Sequence, residues 1–381
     1  MIRHQLLVVI IFEEIQFHAP YTNYPPVHPP DLNSSSSISS SPLWVLIPQN
    51  SALDDVVFSV HYIFLENDFG FLELFWELYN VTWVEHVQVD DKALTHPLYR
   101  DLIFHGLAYG AERWLLTLQR MCERFAFGMG RTAVSQETVV STPEGRRSIM
   151  NLTHRMVKYL CANLTMKRKL EIPQLAELSS GGIRFSSRKS SGLGQPSGLI
   201  VSAATSLRLP LPYQALFDFL SNTKTRSQWD TMSNGNPFQE KARISYGDHP
   251  GNHISIIQPF FPCEGNMLVL QESCVDPLGA MIVYAPIDIQ SVQMAVSGAD
   301  SSGIPILPSG FIICSDGHPH TGANGASSST STANPMSSGS LLTVAFQILT
   351  GGDMQLVTGL NALVTSTIQN ITSALNCTSL K

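Results

Sequence analysis

Between Leu199 and Leu349 the chain divides into short β-rich runs separated by turn residues, and a long amphipathic stripe follows them. The runs are Leu199–Leu209, Arg243–Tyr246, His253–Gln258, Met267–Ser273, Ala280–Tyr284, Gly310–Cys314 and Leu341–Leu349. Pro210 ends the first, and a short helix over Tyr213–Leu220 comes next. Asp276-Pro277-Leu278-Gly279 has the residues of a tight turn and predicts a hairpin. Consecutive short strands predict an antiparallel meander, not βαβ units. The closing stripe repeats apolar residues at spacings of three and four, through Leu356, Leu360, Leu363, Val364, Ile368, Ile371 and Leu375. One long helix laid across a curved sheet hides its apolar face and leaves an elongated cavity between the two. The expected class is therefore α+β, an antiparallel sheet gripped by a long C-terminal helix.

The same grammar appears earlier in smaller form. A strand, VTWVEHVQV from Val81, precedes a helix expected over about His96 to Met129, with Leu107, Ala111, Trp114, Leu118, Met121 and Phe125 on one stripe. Glu112, Arg113, Arg120 and Glu123 fall off that stripe. A second helix is expected from Pro143 to Leu164, with Thr142 as N-cap, Pro143 at the first helical position, and Ile149, Leu152, Met156, Leu160 and Leu164 facing inward. At 381 residues the chain is long enough for two domains. The expected division is an N-terminal segment over 1–80, the tail of one helix-over-sheet domain over 81–130, a connecting helix and linker over 131–198, and a complete domain over 199–381. Within the first segment, residues 20–42 are Pro- then Ser-rich and residues 43–80 turn aromatic without a clean period. Residues 315–340, rich in Ser, Gly, Thr and Ala, are expected to form a disordered loop.

Charge and motif content narrow the function classes. A net charge of −7 and a pI near 5.9 argue against a nucleic-acid-binding module, which concentrates Lys and Arg to neutralise phosphates. The basic runs, such as Lys167-Arg168-Lys169, read as solvated faces. No G-x-S-x-G, H-E-x-x-H or Walker loop occurs. Gly192, Gly194 and Gly198 have the wrong spacing for a dinucleotide fingerprint and read as a turn. Cys314 with His318 and His320, and the pair His249 and His253, lack a metal-ligand set and read as loop or turn residues. Neither an enzyme nor a cofactor or metal is expected. A secreted lipid-transfer or glycoprotein is the alternative reading. It rests on the apolar run Leu6–Phe12, which sits at the lower limit for a signal segment, and on sequons at Asn33, Asn80, Asn151, Asn163, Asn370 and Asn376. No stretch has the length of a membrane span.

A long ordered series of motifs adds a family. It begins with Trp83-Val84-Glu85-His86-Val87, His96-Pro97-Leu98-Tyr99-Arg100 and Gly106-Leu107-Ala108-Tyr109-Gly110-Ala111-Glu112-Arg113-Trp114. It continues with Glu144-Gly145-Arg146-Arg147-Ser148, Val201-Ser202-Ala203-Ala204-Thr205, Arg226-Ser227-Gln228-Trp229-Asp230 and Met267-Leu268-Val269-Leu270-Gln271-Glu272-Ser273-Cys274-Val275-Asp276. Val283-Tyr284-Ala285-Pro286-Ile287-Asp288, Leu307-Pro308-Ser309-Gly310-Phe311 and Gly339-Ser340-Leu341-Leu342-Thr343-Val344-Ala345-Phe346-Gln347 complete it. From Val81 onward the chain resembles the end of the START domain and the region after it in plant class IV homeodomain-leucine zipper transcription factors.

The resemblance implies a START-like helix-grip fold for 199–381 and a START remnant, its last strand and terminal helix, for 81–130. It implies a lipid or sterol-like ligand, family-member or regulatory proteins as partners, and a nuclear location, with the cytoplasm open to a chain without its N-terminal part. The family's homeodomain and zipper have no match here, so a truncated form unable to bind DNA alone is expected, and an interfering interaction module is a further alternative. Ligand-facing positions would be the inner stripes, Leu107, Ala111, Trp114 and Leu118, and Leu356, Leu360 and Leu363. Trp229 and Asp230 are assigned to packing and hydrogen bonding.

Overall fold

A computed structural model describes residues 9–14, 79–84, 97–105, 107–108, 110–130, 140, 142–164, 182–260, 267–317, 339–351 and 354–377. The Pro- and Ser-rich stretch, the aromatic stretch up to residue 78, the basic run at 167–169, and most of the 315–340 loop with His318 and His320 lie outside the described residues. Strands β1 (Val9–Glu14) and β2 (Tyr79–Val84) pair antiparallel with Val9 opposite Val84. Helices α1 (Pro97–Phe104), α2 (Ala111–Gly128) and α3 (Pro143–Leu164) follow. The sheet and its small helices come next: β3 (Arg184–Ser190), β4 (Gly198–Leu209), α4 (Tyr213–Ser221), α5 (Arg226–Trp229), β5 (Phe238–Ser245), β6 (His253–Pro259), β7 (Met267–Asp276), β8 (Gly279–Asp288), α6 (Ile289–Ser297), β9 (Ser309–Ser315) and β10 (Ser340–Thr350). Helix α7 (Met354–Ala374) closes the described chain.

All eight strands from β3 to β10 join one antiparallel sheet in the order β3-β4-β10-β9-β8-β7-β6-β5. The expected meander is present from β5 to β9, and β10 returns to pair with β4. The turn Asp276–Gly279 joins β7 to β8, with Asp276 paired to Gly279 and the Leu278 amide donating to Asp276 Oδ1 at 2.9 Å. An α+β fold with a START-like sheet and terminal helix is the architecture.

One expectation needs correcting. The sheet is covered on both faces, not one. Along β8, Ala280, Ile282 and Tyr284 belong to one apolar cluster, while Met281, Val283 and Ala285 belong to the other. That alternation is the two-residue period of a strand, with both phases apolar. The first face packs against α4 and α7 through Leu216, Phe217, Leu220, Leu360, Val364 and Ile371. The second packs against α3 and α6 through Ile149, Leu152, Met156, Leu160, Val292 and Ala295. Helix α3 has the expected bounds and buries all five expected positions, with the Gly145 amide donating to Thr142 Oγ1 at 3.1 Å.

Two further differences have local causes. The helix expected over His96–Met129 is two helices, because Gly110 precedes α2 at φ 120°, outside the helical region. Periodicity cannot sense this break, since Leu107 and Ala111 remain four apart across it. Strand β3 arises inside the expected linker. Its sequence, RFSSRKS, is mostly polar because it is an edge strand with only Phe185, Ser187 and Ser190 buried.

The second face also fixes Gly310 on β9. A Cβ there would meet Leu160 Cδ2 at 2.9 Å and Val283 Cα at 3.2 Å, besides the Ile282 carbonyl oxygen. Gly310→Ala is expected to lower stability by about 1–3 kcal/mol, read as a lower urea midpoint at unchanged slope.

Candidate functional site

The interior beneath the terminal helix is the place where a helix-grip fold holds a ligand, so its contents decide what the domain can do. At the α5 end it is filled by side chains. Trp229 is fully buried and meets Phe311 edge-on at 5.0 Å between ring centroids, with Tyr284 at 5.9 Å. Arg226, one helical turn's width away and 2% exposed, lies 4.4 Å from the centroid of Tyr284, 4.9 Å from Trp229 and 5.1 Å from Phe238. A guanidinium desolvated in this way needs a counter-charge and acceptors. Its Nε donates to Asp230 Oδ2 at 3.0 Å and its Nη1 to Gln271 Oε1 at 2.7 Å. Gln271 Nε2 in turn donates to the Ser221 carbonyl at 3.1 Å and to Ser273 Oγ at 3.2 Å. Asp230 Oδ1 accepts from the Met232 amide at 3.1 Å and caps the 3-10 turn Thr231–Ser233. Trp229 thus packs, its Nε1 without a hydrogen-bond partner, and Asp230 hydrogen-bonds. Burial pushes the Tyr284 hydroxyl far above its ordinary range, so it stays a phenol.

The positions expected to face a ligand are dispersed. Leu360 is 1% exposed and belongs to the cluster under α7, and Leu363 packs half-buried against the same cluster. Leu356, in the first turns of α7, is 47% exposed. Leu107 is half-buried against Tyr99, Leu102, Cys314 and Leu341. Ala111 and Leu118 are half-buried on α2, and the Trp114 side chain lies outside the described residues. The structure brings Leu360 and Leu363 together and keeps them apart from the α2 positions. Arg226 and Gln271 stand inside two of the motifs, and no local pattern around either marks it as a buried partner.

Other groups offer little chemistry. Among the described residues no three His, Cys, Asp or Glu side chains gather to hold a metal ion. Burial pushes the Cys122 and Cys314 thiols up to about 11, so neither is a thiolate near neutrality. His249 Nδ1 accepts from the Gly251 amide at 2.9 Å within its turn. A shallow groove beside Ser148, Arg155 and Ser301 is a seam between α3 and the following loop: Ser148 Oγ donates to the Ala299 carbonyl at 2.6 Å and Arg155 Nη2 to the Ile304 carbonyl at 2.7 Å.

A START-like helix-grip domain whose interior is filled by side chains at the α5 end is what this geometry defines. The chain belongs to the family described as PDF2-like, C-terminal domain, which matches residues 142–377. It is also similar to class IV homeodomain-leucine zipper proteins. It is 42% identical to Homeobox-leucine zipper protein ROC8 of Oryza sativa subsp. japonica over 314 residues, covering 78% of this chain and 44% of that protein. With Homeobox-leucine zipper protein HDG10 of Arabidopsis thaliana it shares 44% identity over 308 residues, 78% of this chain and 42% of the relative. The chain therefore spans less than half the length of the curated relatives it matches.

Two outcomes check the electrostatics. Arg226→Met is expected to cost about 3–5 kcal/mol by stranding Asp230 and Gln271, with Arg226→Lys nearer to Met than to wild type because lysine cannot reproduce the stacked fork. Urea unfolding measures both. His253 on β6 is 3% exposed, and burial, with Arg243 adding to it, holds its imidazole down at about 4. The fold therefore favours the neutral ring, and its contribution is complete above about 6.5 and is lost as pH falls through that value towards 4. Stability is expected to drop by on the order of 2 kcal/mol between pH 7 and 4.5, and by less in His253→Phe.

Proposed function

We propose that this chain is the non-enzymatic, lipid-binding-type regulatory portion of a class IV homeodomain-leucine zipper transcription factor, working in the nucleus through protein or lipid contacts and not reading DNA itself. The match of residues 142–377 to the PDF2-like C-terminal domain carries the reading. Names of the relatives supply the transcription-factor class, and the START-like sheet supplies the regulatory fold. Net charge supports the DNA part of the reading. A chain at −7 repels a phosphate backbone unless its basic residues are gathered on one face. In this structure Arg120, Arg124, Arg208 and Arg226 each pair with a carboxylate of the chain itself.

For the ligand, the α7 stripe is the weaker candidate, since Leu360 and Leu363 already pack against side chains. Leu107, Ala111, Trp114 and Leu118 upstream are the proposed lipid-facing set, with Leu356 exposed at the start of α7. The secreted glycoprotein reading loses support at Asn163. Its Nδ2 donates both hydrogens, to the Tyr159 carbonyl at 2.5 Å and to Gln347 Oε1 at 2.8 Å, so a sugar on that nitrogen would take the place of one of them.

An electrophoretic mobility shift with the full chain and random-sequence duplex DNA is expected to show no salt-sensitive, sequence-specific complex. A tight complex would overturn the DNA part. Native mass spectrometry after incubation with a mixed plant phospholipid and sterol extract is expected to show a bound lipid that Leu118→Asp abolishes. Absence of any adduct would remove the lipid part.

A further inference from the structure

The family match starts at residue 142, yet the charged groups of the sheet's second face reach further upstream. Helix α2 lies outside the match and packs on that side of the domain, and the surface it uses mixes charged and apolar residues. Cys122, Glu123, Arg124, Ala126 and Phe127 are buried, while Ala111, Leu118, Met121 and Phe125 of the apolar stripe are only half-buried. Arg124, 7% exposed, pairs with Glu272 on β7, itself 1% exposed, and its Nη2 donates to the Met150 carbonyl and to Thr153 Oγ1, both at 3.1 Å. Tyr246 Oη donates to the same Glu272 oxygen at 2.7 Å. One helical turn away, Arg120 pairs with Asp276 at the end of β7, where both are under one-fifth exposed. Asn252 Nδ2 lies 3.5 Å from Glu123 Oε2, and Gly247 leaves the space that the Glu123 carboxylate fills. Helix α1 is fastened separately. Arg208 on β4 bridges Asp101 on α1 and Asp316 after β9, at 3.4 and 3.0 Å.

We infer that α2 is a coupling helix: it seats on the PDF2-like domain through a charge-keyed surface made by Glu272, Asp276 and Asn252, and it opens and closes on that seat as a unit. A seat of this chemistry differs from an apolar one. Buried ion pairs add specificity more than adhesion, because desolvation offsets most of their attraction. When parted, the charged groups regain water and the apolar cost is confined to Cys122, Ala126 and Phe127 with the core residues they touch, which suits an interface that is released and remade. The seat places the half-buried stripe of α2 away from the sheet. Helix α2 also lies against β2, which is thereby connected through Arg120 and Arg124 to β7.

Amide hydrogen exchange on the full chain at pH 7, read by mass spectrometry, tests the seat. The rim pair supplies mild variants, Arg120→Met, Asp276→Asn and both together. Asparagine keeps the Oδ1 that accepts from Leu278, so the hairpin turn survives. Each single change is expected to speed exchange over residues 111–128 by about tenfold, with β8 and β9 unchanged and the double no faster than the quicker single. Arg124→Met is the severe variant, and if it fails to fold the rim pair still decides. Unchanged exchange over 111–128, equal acceleration in β8 and β9, or additive effects in the double would each overturn the coupling.

Discussion

Two adjacent residues of β7, Gln271 and Glu272, each hold a buried arginine, and they do so on opposite faces of the sheet. Gln271 accepts from Arg226 beneath the terminal helix, and Glu272 pairs with Arg124 beneath α3. The two-residue period of a strand sends neighbours to opposite sides, so one dipeptide anchors both coverings. Everything else in the sheet's centre follows from that. Both phases of β8 must be apolar to fill the two cores around these charges. The donors and counter-charges come from α4, α5 and Asp230 on one side and from α2 and α3 on the other, while α6 and α7 cover the apolar surface around them.

The two buried arginines do different things. Arg226 is enclosed by three aromatic rings and answered by Asp230, four residues on in the same short segment. Its partners all lie within one domain, so it shapes the interior and reduces the space an apolar ligand could use. Arg124 is answered by strand and helix residues far away in sequence and belongs to an element before the family match. It ties one part of the chain to another. The first arginine is a matter of filling, the second a matter of connection.

Much of the architecture was legible because it is periodic. Helix α3 was bounded by Thr142 and Pro143, and the β runs were bounded by Pro, Gly and Asp. The continuous apolar character of Ala280–Tyr284, with both phases of the strand apolar, is the mark of a strand covered on two faces. Strand β3 escaped because an edge strand needs few apolar residues. Helix α6 escaped because it is short, although Asp288 caps it by accepting from the Ser291 amide at 2.8 Å, a spacing that sequence displays. The buried charges could not be read at all. Arg226 and Gln271 are 45 positions apart and Arg124 and Glu272 are 148 apart, and nothing local distinguishes a paired arginine from a solvated one.

A misread face has the largest functional consequence. On α2 the apolar stripe was expected to face inward and the charged residues outward. The structure buries Glu123 and Arg124 and leaves Leu118, Met121 and Phe125 half-buried. Hydrophobic periodicity finds the apolar side of a helix, but it cannot say whether that side or the other meets the neighbouring domain. Where the charged side meets the sheet, the same helix also lies against β2, so one helix serves two neighbours at once. That property follows from the seat on β7 and needs no cavity under the terminal helix. It shifts the regulatory interest of this chain from the interior of the grip to the surface where α2 lies on the sheet.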